Sequence, residues 1–180
     1  MAVSETIVRE YFELHDFFVR QNRKHIAPKR EDDEIDFYVH NPNGPTDGGE
    51  VPFVLENARD LETLTRAVVV VKAWHTEVFT QAVLAHAPEM FRFAGPETFA
   101  RATNAFGGPG PLTKILVIPA LPTSGEARQQ SIDLLHSKGI DAVIPFRTML
   151  SELIEHIEVN RNYQKSDLLQ VIRILKNYDL

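Results

Sequence analysis

Residues 66–79 read RAVVVVKAWHTEVF, and the fold follows from this stretch. Val68 to Val71 are consecutive β-branched residues, which favour a strand that is buried on both faces. Lys72 ends the apolar run, so it lies where the strand reaches the rim of the sheet. Thr76 precedes a segment with helical spacing and is predicted to cap it through its hydroxyl. The stretch therefore predicts a buried strand that leads into a helix.

Upstream of this strand the pattern changes from helical to extended. A helix is predicted over residues 5–22, because apolar residues recur there at spacings of three and four, and Ser4 is its expected cap. The alternating segment EIDFYVH at residues 34–40 is predicted as a strand. A short strand at residues 51–55 and a helical turn at residues 57–64 then lead back to the central strand.

Downstream, helical and extended patterns alternate. Strands are predicted at residues 114–120 and 141–146, and helices at residues 77–86, 97–105, 126–138, 149–159 and 166–178. Gly139 is the expected C-terminal cap of the helix before it, and Thr148 the expected N-terminal cap of the helix after it. Strands divided by helices imply a mostly parallel sheet that is covered on both faces, with antiparallel strands at its start.

The composition is that of one globular domain. The chain has 180 residues, of which 43% are hydrophobic and 24% charged, and it contains no cysteine. It is long enough to bury a core, and it has no disulfide framework or thiolate metal site. No apolar run approaches the roughly 20 residues of a membrane helix. The N-terminus also lacks a signal-peptide pattern, so we expect a cytoplasmic protein without a membrane partner.

The charge distribution limits the partners that the chain is expected to bind. The formal net charge of −6 weighs against a protein that coats nucleic acid non-specifically. Residues 20–33 form the most basic part of the chain and are the best candidate for contacting phosphate. A solvated connection is the more common role for such a loop.

Three segments carry a resemblance to a known family. They are Glu34–Ile35–Asp36 after the opening helix, the VKAW sequence of Val71 to Trp74, and SKGIDAVIPF of Ser137 to Phe146. Together they resemble the PD-(D/E)xK nuclease superfamily over most of residues 4–160. The resemblance implies the restriction endonuclease-like fold, a three-layer α/β fold in which helices flank a central mixed sheet. The chain would be one such domain, residues 1–180, with an extra C-terminal helix at residues 165–178.

The resemblance also implies a metal site. In that superfamily Mg²⁺ is bound by an aspartate and by an acidic residue two positions before a lysine, and the lysine positions the attacking water. Asp36 matches the aspartate and Lys72 the lysine, but Val70 stands at the acidic position. A valine supplies no oxygen ligand for a hard cation, and without the cation neither water nor phosphate is activated. Mg²⁺ or Mn²⁺ is therefore expected only if the protein is active, and otherwise no cofactor.

Other residues are candidates for completing such a site. Glu77, in the first turn predicted after the central strand, is the candidate for a relocated metal ligand. Glu5 lies in the opening helix, where some relatives carry an acidic metal-site residue. The candidates for contacting a substrate are Glu34, His75 and Gln81. Acidic residues near a helix start more often complement the helix dipole or face solvent.

Several functions are compatible with this sequence. The favoured interpretation is a nuclease-fold protein, catalytically impaired or inactive, that serves in nucleic-acid processing, binding or assembly and meets DNA or RNA in a local cleft. The second is a metal-dependent nuclease, a phosphodiester hydrolase, with a relocated carboxylate. The third is an α/β domain that binds a small anion at residues 120–126, where Thr123, Ser124 and Gly125 precede a helix. That turn lacks the repeated glycines and the lysine of nucleotide-binding loops.

The last predicted helix offers a structural alternative. It has a long apolar stripe, which usually belongs to the intramolecular core and is also a candidate surface for a homodimer. The stripe consists of Leu168, Leu169, Ile172, Leu175 and Tyr178.

Overall fold

The computed structural model of the protein describes residues 3–22, 35–72 and 77–180. The strands are β1 (Phe18–Gln21), β2 (Phe37–His40), β3 (Arg66–Val71), β4 (Thr113–Ile118) and β5 (Ala142–Pro145). The α-helices are α1 (Val3–Leu14), α2 (Ala58–Glu62), α3 (Gln81–Ala85), α4 (Pro96–Ala105), α5 (Gly125–Ser137), α6 (Phe146–His156) and α7 (Asp167–Asn177), and a 3-10 helix spans Pro88–Ala94. In these parts of the chain, no helix is long and apolar enough to cross a membrane.

The strands form one mixed sheet in the order β1-β2-β3-β4-β5. β1, β2 and β3 pair antiparallel, whereas β3, β4 and β5 pair parallel. A parallel pair needs a crossover connection, and α3 and α4 supply it between β3 and β4, as α5 does between β4 and β5. The predicted α/β architecture, with antiparallel strands at the start of the sheet, is confirmed.

Both faces of the sheet are covered by helices. On one face Val69 of β3 packs in a cluster with apolar residues of α1, α6 and α7. On the other face Val68 and Val70 pack in a cluster with residues of α3, α4, α5 and the 3-10 helix. These three valines are at most 1% exposed, which explains why β3 reads as an unbroken apolar run. The helix–sheet–helix layering predicted from this run is therefore present.

The opening helix is shorter than predicted, and the prediction for residues 15–22 is wrong. α1 ends at Leu14, and the chain then turns into β1. Asp16 has a φ of +62°, a left-handed conformation that interrupts an α-helix. Phe17 is 5% exposed and Phe18 is 68% exposed, an alternation typical of extended chain. Pairing of Phe18 to Gln21 with β2 stabilises the extended conformation over the helical one.

Other predicted boundaries also shift. The strand predicted at residues 51–55 is not formed. Val54 alone pairs with the sheet, through a single parallel bridge to Val143 of β5. The helix predicted to begin at residue 77 begins at Gln81, where Thr80 caps it, and Thr76 lies outside the described residues. Thr148 lies within α6 and does not cap it, because that helix begins directly after Pro145. Pro145 is both the last residue of β5 and the N-cap residue of α6, with extended backbone, so the helix follows the strand without an intervening turn.

A cluster of ionisable side chains joins the end of α1 to α6. The Glu152 Oε2 atom lies 3.8 Å from His15 Nε2 and 3.6 Å from His156 Nδ1. The His15 ring packs edge-on against Tyr11 and His156, with centroids 5.0 Å and 5.9 Å apart. Burial lowers the pKa of His15, and this effect outweighs the opposing attraction of Glu152. The imidazole is therefore held neutral at a helix–helix contact.

We predict that His15 makes the protein less stable as the pH falls below about 6.5. Its folded-state pKa lies below the ordinary value of 6.5, so the unfolded chain takes up the proton first. The loss of stability begins near that value and levels off below the folded-state pKa. Urea unfolding of His15→Gln between about pH 7 and about pH 5 should show a weaker pH dependence than the wild type. The same substitution at the exposed His86 is the control, and an equal effect of both substitutions would contradict the prediction.

Candidate functional site

Asp36 and Lys72, the residues matched by the resemblance, lie at the same end of the sheet. Asp36 directly precedes β2, and Lys72 directly follows β3. These two strands are antiparallel, so the start of β2 lies beside the end of β3. The fold therefore brings both residues to the edge where β3 emerges from the core.

The Asp36 carboxylate is bonded to the backbone of β3. Its Oδ2 accepts a hydrogen bond from the Val71 N–H at 2.7 Å. The Asp36 N–H donates to Val69 O at 3.0 Å, although the register pairs Val69 with Phe37. Two successive residues thus oppose one residue of β3, which is the arrangement of a β-bulge. Asp36 is 8% exposed, and the hydrogen bond offsets part of the cost of burying its charge.

Lys72 continues the pairing of β3 by one residue beyond the strand. It is half-buried, and its backbone N–H donates to Val117 O of β4 at 3.1 Å. Because Asp36 is bonded to Val71, its carboxylate lies beside the residue that precedes the lysine. The matched carboxylate is therefore hydrogen-bonded to the residue next to the matched lysine.

Position 70, where the resemblance implies an acidic residue, belongs to the core. Val70 is 1% exposed and lies in the cluster that also contains Phe79, Leu84 and Leu116. A carboxylate at this position would meet apolar side chains rather than water. The valine therefore contributes to the packing on this face of the sheet, at the position where the resemblance implies a metal ligand.

A second carboxylate, that of Glu5, reaches the same end of the sheet from α1. Gln21 Nε2 donates a hydrogen bond to Glu5 Oε2 at 2.9 Å, and Gln21 is paired with Phe37 in the sheet. The next residue, Asn22, donates its N–H to Asp36 O at 2.8 Å. The end of β1 thus connects the first turn of α1 to the backbone of Asp36.

Gln21 was missed by the sequence reasoning, which placed it in the opening helix. The available signal was the pair His15–Asp16, since both residues are weak helix formers, followed by the β-forming residues Phe17 to Val19. Over so few residues, the spacing of apolar side chains fits a helix as well as a strand. The sequence therefore does not show that the helix ends before Phe17.

Glu77 and Gln81 lie past the end of β3, on the way into α3. Both are exposed, and Glu77 lines an open cavity of about 470 Å³ together with residues of α3. The Phe79 N–H donates to Ala120 O at 2.9 Å, which ties this segment to the chain that leaves β4. Parallel strands end at the same edge of a sheet, so these residues remain near the edge that holds Asp36.

Two of the predicted site residues, Glu34 and His75, lie outside the described residues. Most of the basic segment 20–33 lies outside them as well. Its first residue, Arg20, is described, and its guanidinium lies 5.9 Å from the centre of the Tyr38 ring on β2. This cation–π contact directs one positive charge of the segment onto the antiparallel half of the sheet.

The predicted anion-binding turn is open to solvent. Thr123, Ser124 and Gly125 are exposed at the start of α5. Ser124 is the N-cap residue, and its side chain makes no capping hydrogen bond, while its carbonyl accepts from Arg128 N–H at 2.8 Å. The start of α5 thus has the free N–H groups that any helix start has, and these alone specify no ligand.

Within residues 3–22, 35–72 and 77–180, no three His, Asp or Glu side chains are arranged to hold a metal ion. Asp36 with the carbonyl of Val71 would be a weak site, because Mg²⁺ takes six oxygen ligands in near-ideal octahedral geometry. The donors described at this edge therefore fit a divalent cation poorly.

Comparison of the chain with family models, with curated proteins and with solved structures finds no match. The evidence for a function therefore comes from the residues at the end of β3 and from the resemblance that they carry.

We predict that Asp36→Ala lowers the free energy of unfolding by about 1–3 kcal/mol, because the Val71 N–H loses its acceptor. Asp36→Asn removes the same charge but keeps a side-chain oxygen that can accept this bond. It should therefore retain most of the stability that Asp36→Ala loses. Urea denaturation of the two variants measures the difference, and wild-type stability in Asp36→Ala would contradict the structural role of the carboxylate.

We predict that Val70→Glu destabilises the protein by about 3 kcal/mol or more, since it places an ionisable group in an apolar cluster. The matched control is Val78→Glu, the same change at a side chain that is 44% exposed. That control should change the free energy of unfolding by no more than about 0.5 kcal/mol. Equal stability of the two variants would show that position 70 is open to solvent.

Proposed function

We propose that the protein is a restriction endonuclease-like domain that has an incomplete metal site and binds nucleic acid without cleaving it efficiently. The observation that carries the proposal is the hydrogen bond between Asp36 Oδ2 and the Val71 N–H. It joins the residue that matches the family's aspartate to the residue next to the matching lysine, Lys72. A pair of residues chosen only for its match to a motif would have no reason to meet at one strand end.

The sheet supports the fold in this proposal. An opening helix, an antiparallel β1–β2–β3 unit and a crossover to the parallel β4 give a mixed sheet between two helical layers. This is the layered arrangement that the resemblance implies. Asp36 and Lys72 also lie at one end of this unit, where β2 begins and β3 ends.

The loss of efficient cleavage is supported by Val70 and by the environment of Asp36. A metal that activates water needs more oxygen ligands than the side chain of Asp36 alone supplies. At the position where the resemblance implies the next ligand, the core holds a buried valine. The missing metal ligand does not prevent Lys72 from contacting nucleic acid, because a lysine attracts a phosphate as a point charge without any metal.

A second candidate function is a metal-dependent nuclease with a relocated carboxylate. The observation that favours it is the hydrogen bond between Gln21 and Glu5, which holds a second carboxylate toward the end of the sheet where Asp36 lies. Glu77, exposed beyond the end of β3, is the other candidate ligand. Either residue would have to approach Asp36 when a cation binds.

We predict that Lys72→Ala weakens nucleic-acid binding by about fivefold or more, since binding depends on cations that meet phosphate. The measurement is fluorescence anisotropy with labelled single-stranded DNA, duplex DNA and RNA of equal length, at several salt concentrations. Lys138→Ala is the matched control, because this exposed lysine follows α5 and precedes β5, at the opposite end of the parallel strands. Affinity that falls with salt and depends on Lys72 but not on Lys138 supports the proposal, whereas no binding, or equal effects of both variants, contradicts it.

A nicking assay on supercoiled plasmid in Mn²⁺ separates the two candidate functions. We expect no nicking by the wild type if the metal site is incomplete. Nicking that disappears in Asp36→Asn would instead establish the relocated site, and Glu5→Gln and Glu77→Gln would then identify the second carboxylate. Asp36→Asn is the better variant here than Asp36→Ala, because it keeps an acceptor for the Val71 N–H.

A further inference from the structure

The outer two strands of the sheet carry aromatic and basic side chains on one face. The register pairs Phe18 with His40 and Arg20 with Tyr38. Directly opposed residues of an antiparallel pair point to the same face of a sheet, so these four side chains lie together. Phe18 is 68% exposed and Arg20 is also exposed, whereas Tyr38 and His40 are half-buried. This part of the sheet is therefore open to solvent.

The helical layer on this face ends near β2. Val68 of β3 is paired with Tyr38, and it is covered, together with Val70, by the cluster that contains residues of α3, α4 and α5. Tyr38 packs at the border of that cluster against Phe106, the residue that follows α4, with ring centroids 5.8 Å apart. The exposure of Phe18 shows that the described helices do not extend over β1 on this face.

Arg66 continues the arrangement from β2 onto β3. It is half-buried and paired with His40, and its guanidinium lies 5.8 Å from the centre of the Phe106 ring. Arg20 makes the equivalent contact with Tyr38, at 5.9 Å. Arginines and rings thus alternate across three neighbouring strands, and each guanidinium is held against a ring by a cation–π contact. The name aromatic–arginine face is used below for Phe18, Arg20, Tyr38, His40 and Arg66.

The aromatic–arginine face carries positive charge although the protein as a whole is acidic. The chain has a formal net charge of −6, but none of the side chains in the paired rows of this face is acidic. A local positive surface of this kind is complementary to an anionic partner. Phe18, His40 and Arg66 form one row, and Arg20, Tyr38 and Val68 form the next.

The rings of this face are available for stacking. The Phe18 and His40 rings are nearly parallel, with an interplanar angle of 19° and centroids 6.3 Å apart. β1 is the outermost strand, so the Phe18 ring can be approached from the edge of the sheet. A flat π-surface placed against this ring removes apolar area from water and also gains ring–ring attraction. Nucleic-acid bases present such a π-surface whatever the sequence, and their phosphates complement the arginines.

The exposed rings favour a single strand over a duplex. Base faces in a duplex are stacked on one another, whereas an unpaired base is free to stack on an aromatic side chain or on a guanidinium plane. A surface that bound only phosphates would need clustered cations and no exposed rings. We propose that the aromatic–arginine face binds single-stranded nucleic acid, with an unpaired base stacked on Phe18 and a phosphate held by Arg20.

This inference rests on the proposed function, since it names the form of nucleic acid that the domain binds and adds a second surface to the edge at Lys72. Arg66 begins the strand that Lys72 follows, and the two residues are separated by about 20 Å along the sheet. An extended single strand can cover this distance along β1 and β2. Contacts at both surfaces would then belong to one binding path over the antiparallel half of the sheet.

The first test compares three probes of about 16 nucleotides by fluorescence anisotropy: oligothymidine, a duplex, and an abasic strand with the same sugar–phosphate backbone. The wild type should bind oligothymidine about tenfold or more tightly than the other two, because only this probe offers unpaired base faces. An abasic strand that binds as tightly as oligothymidine would overturn the stacking of bases. A duplex that binds as tightly would overturn the preference for single strands.

Substitutions at Phe18 test the stacking residue. Phe18→Leu should weaken binding of oligothymidine about fivefold or more, since leucine keeps the apolar surface but has no π-face. Phe18→Tyr keeps the ring and should bind like the wild type. The matched control is Tyr178→Leu, because this ring is 69% exposed and follows α7, which packs on the opposite face of the sheet. Equal effects of the two leucine variants, or equal losses in Phe18→Leu and Phe18→Tyr, would overturn the proposal.

Arg20 is tested through the salt dependence of binding. Arg20→Gln should lower the slope of log affinity against log salt by about 0.7, the value for one phosphate contact on a single strand. Arg20→Lys keeps the charge and should keep the slope. An unchanged slope in Arg20→Gln would overturn the assignment of a phosphate to Arg20.

Comparison of Phe18→Leu with Lys72→Ala separates this inference from the proposed function. If only Lys72→Ala weakens binding, nucleic acid binds at the end of β3 alone, and this inference is wrong while the proposed function stands. If only Phe18→Leu weakens binding, the aromatic–arginine face is the binding surface and the role proposed for Lys72 is wrong. A wild type that binds none of the probes overturns both.

Discussion

The burial of β3 on both faces is the constraint on which the rest of the structure depends. A strand of valines between two apolar clusters needs a helical layer on each side, and α1 with α6 and α3 with α5 supply these layers. β3 is also where the sheet changes from antiparallel to parallel pairing. Its carboxyl end is therefore the place where chain segments from both halves of the sheet converge.

The candidate site is a consequence of how β3 leaves the core. Beyond the last residue paired with β2, its backbone needs an acceptor on that side, and the Asp36 carboxylate provides one for Val71. The same residue is then both a structural acceptor and the match to a catalytic aspartate. Val70 contributes to the packing on one face at the position where catalysis would need a ligand. In the proposed site, a metal ligand and core packing would compete for position 70, and core packing occupies it.

The two proposals concern different surfaces of the molecule. Nucleic acid would meet the edge where β3 ends, through Lys72, and the aromatic–arginine face of β1 and β2, through Phe18 and Arg20. These surfaces differ in chemistry, because the first depends on charge and is sensitive to salt, while the second combines charge with the stacking of rings. Added salt screens the charges but not the stacking, so the contact at Phe18 is the one that salt affects least.

The sequence by itself determined the α/β class, the buried central strand and most helices, because apolar periodicity reports which face of an element is buried. Asp36 and Lys72 were indicated by the resemblance of short segments to a known family, since each segment can be recognised along the chain without knowledge of the fold. Only the tertiary structure decided that residues 18–21 form a strand, that Asp36 bonds to Val71, and that Phe18 and Arg20 are exposed on the face of the sheet. Pairing between strands and the extent of a helical layer depend on partners distant in sequence, and no local pattern contains that information.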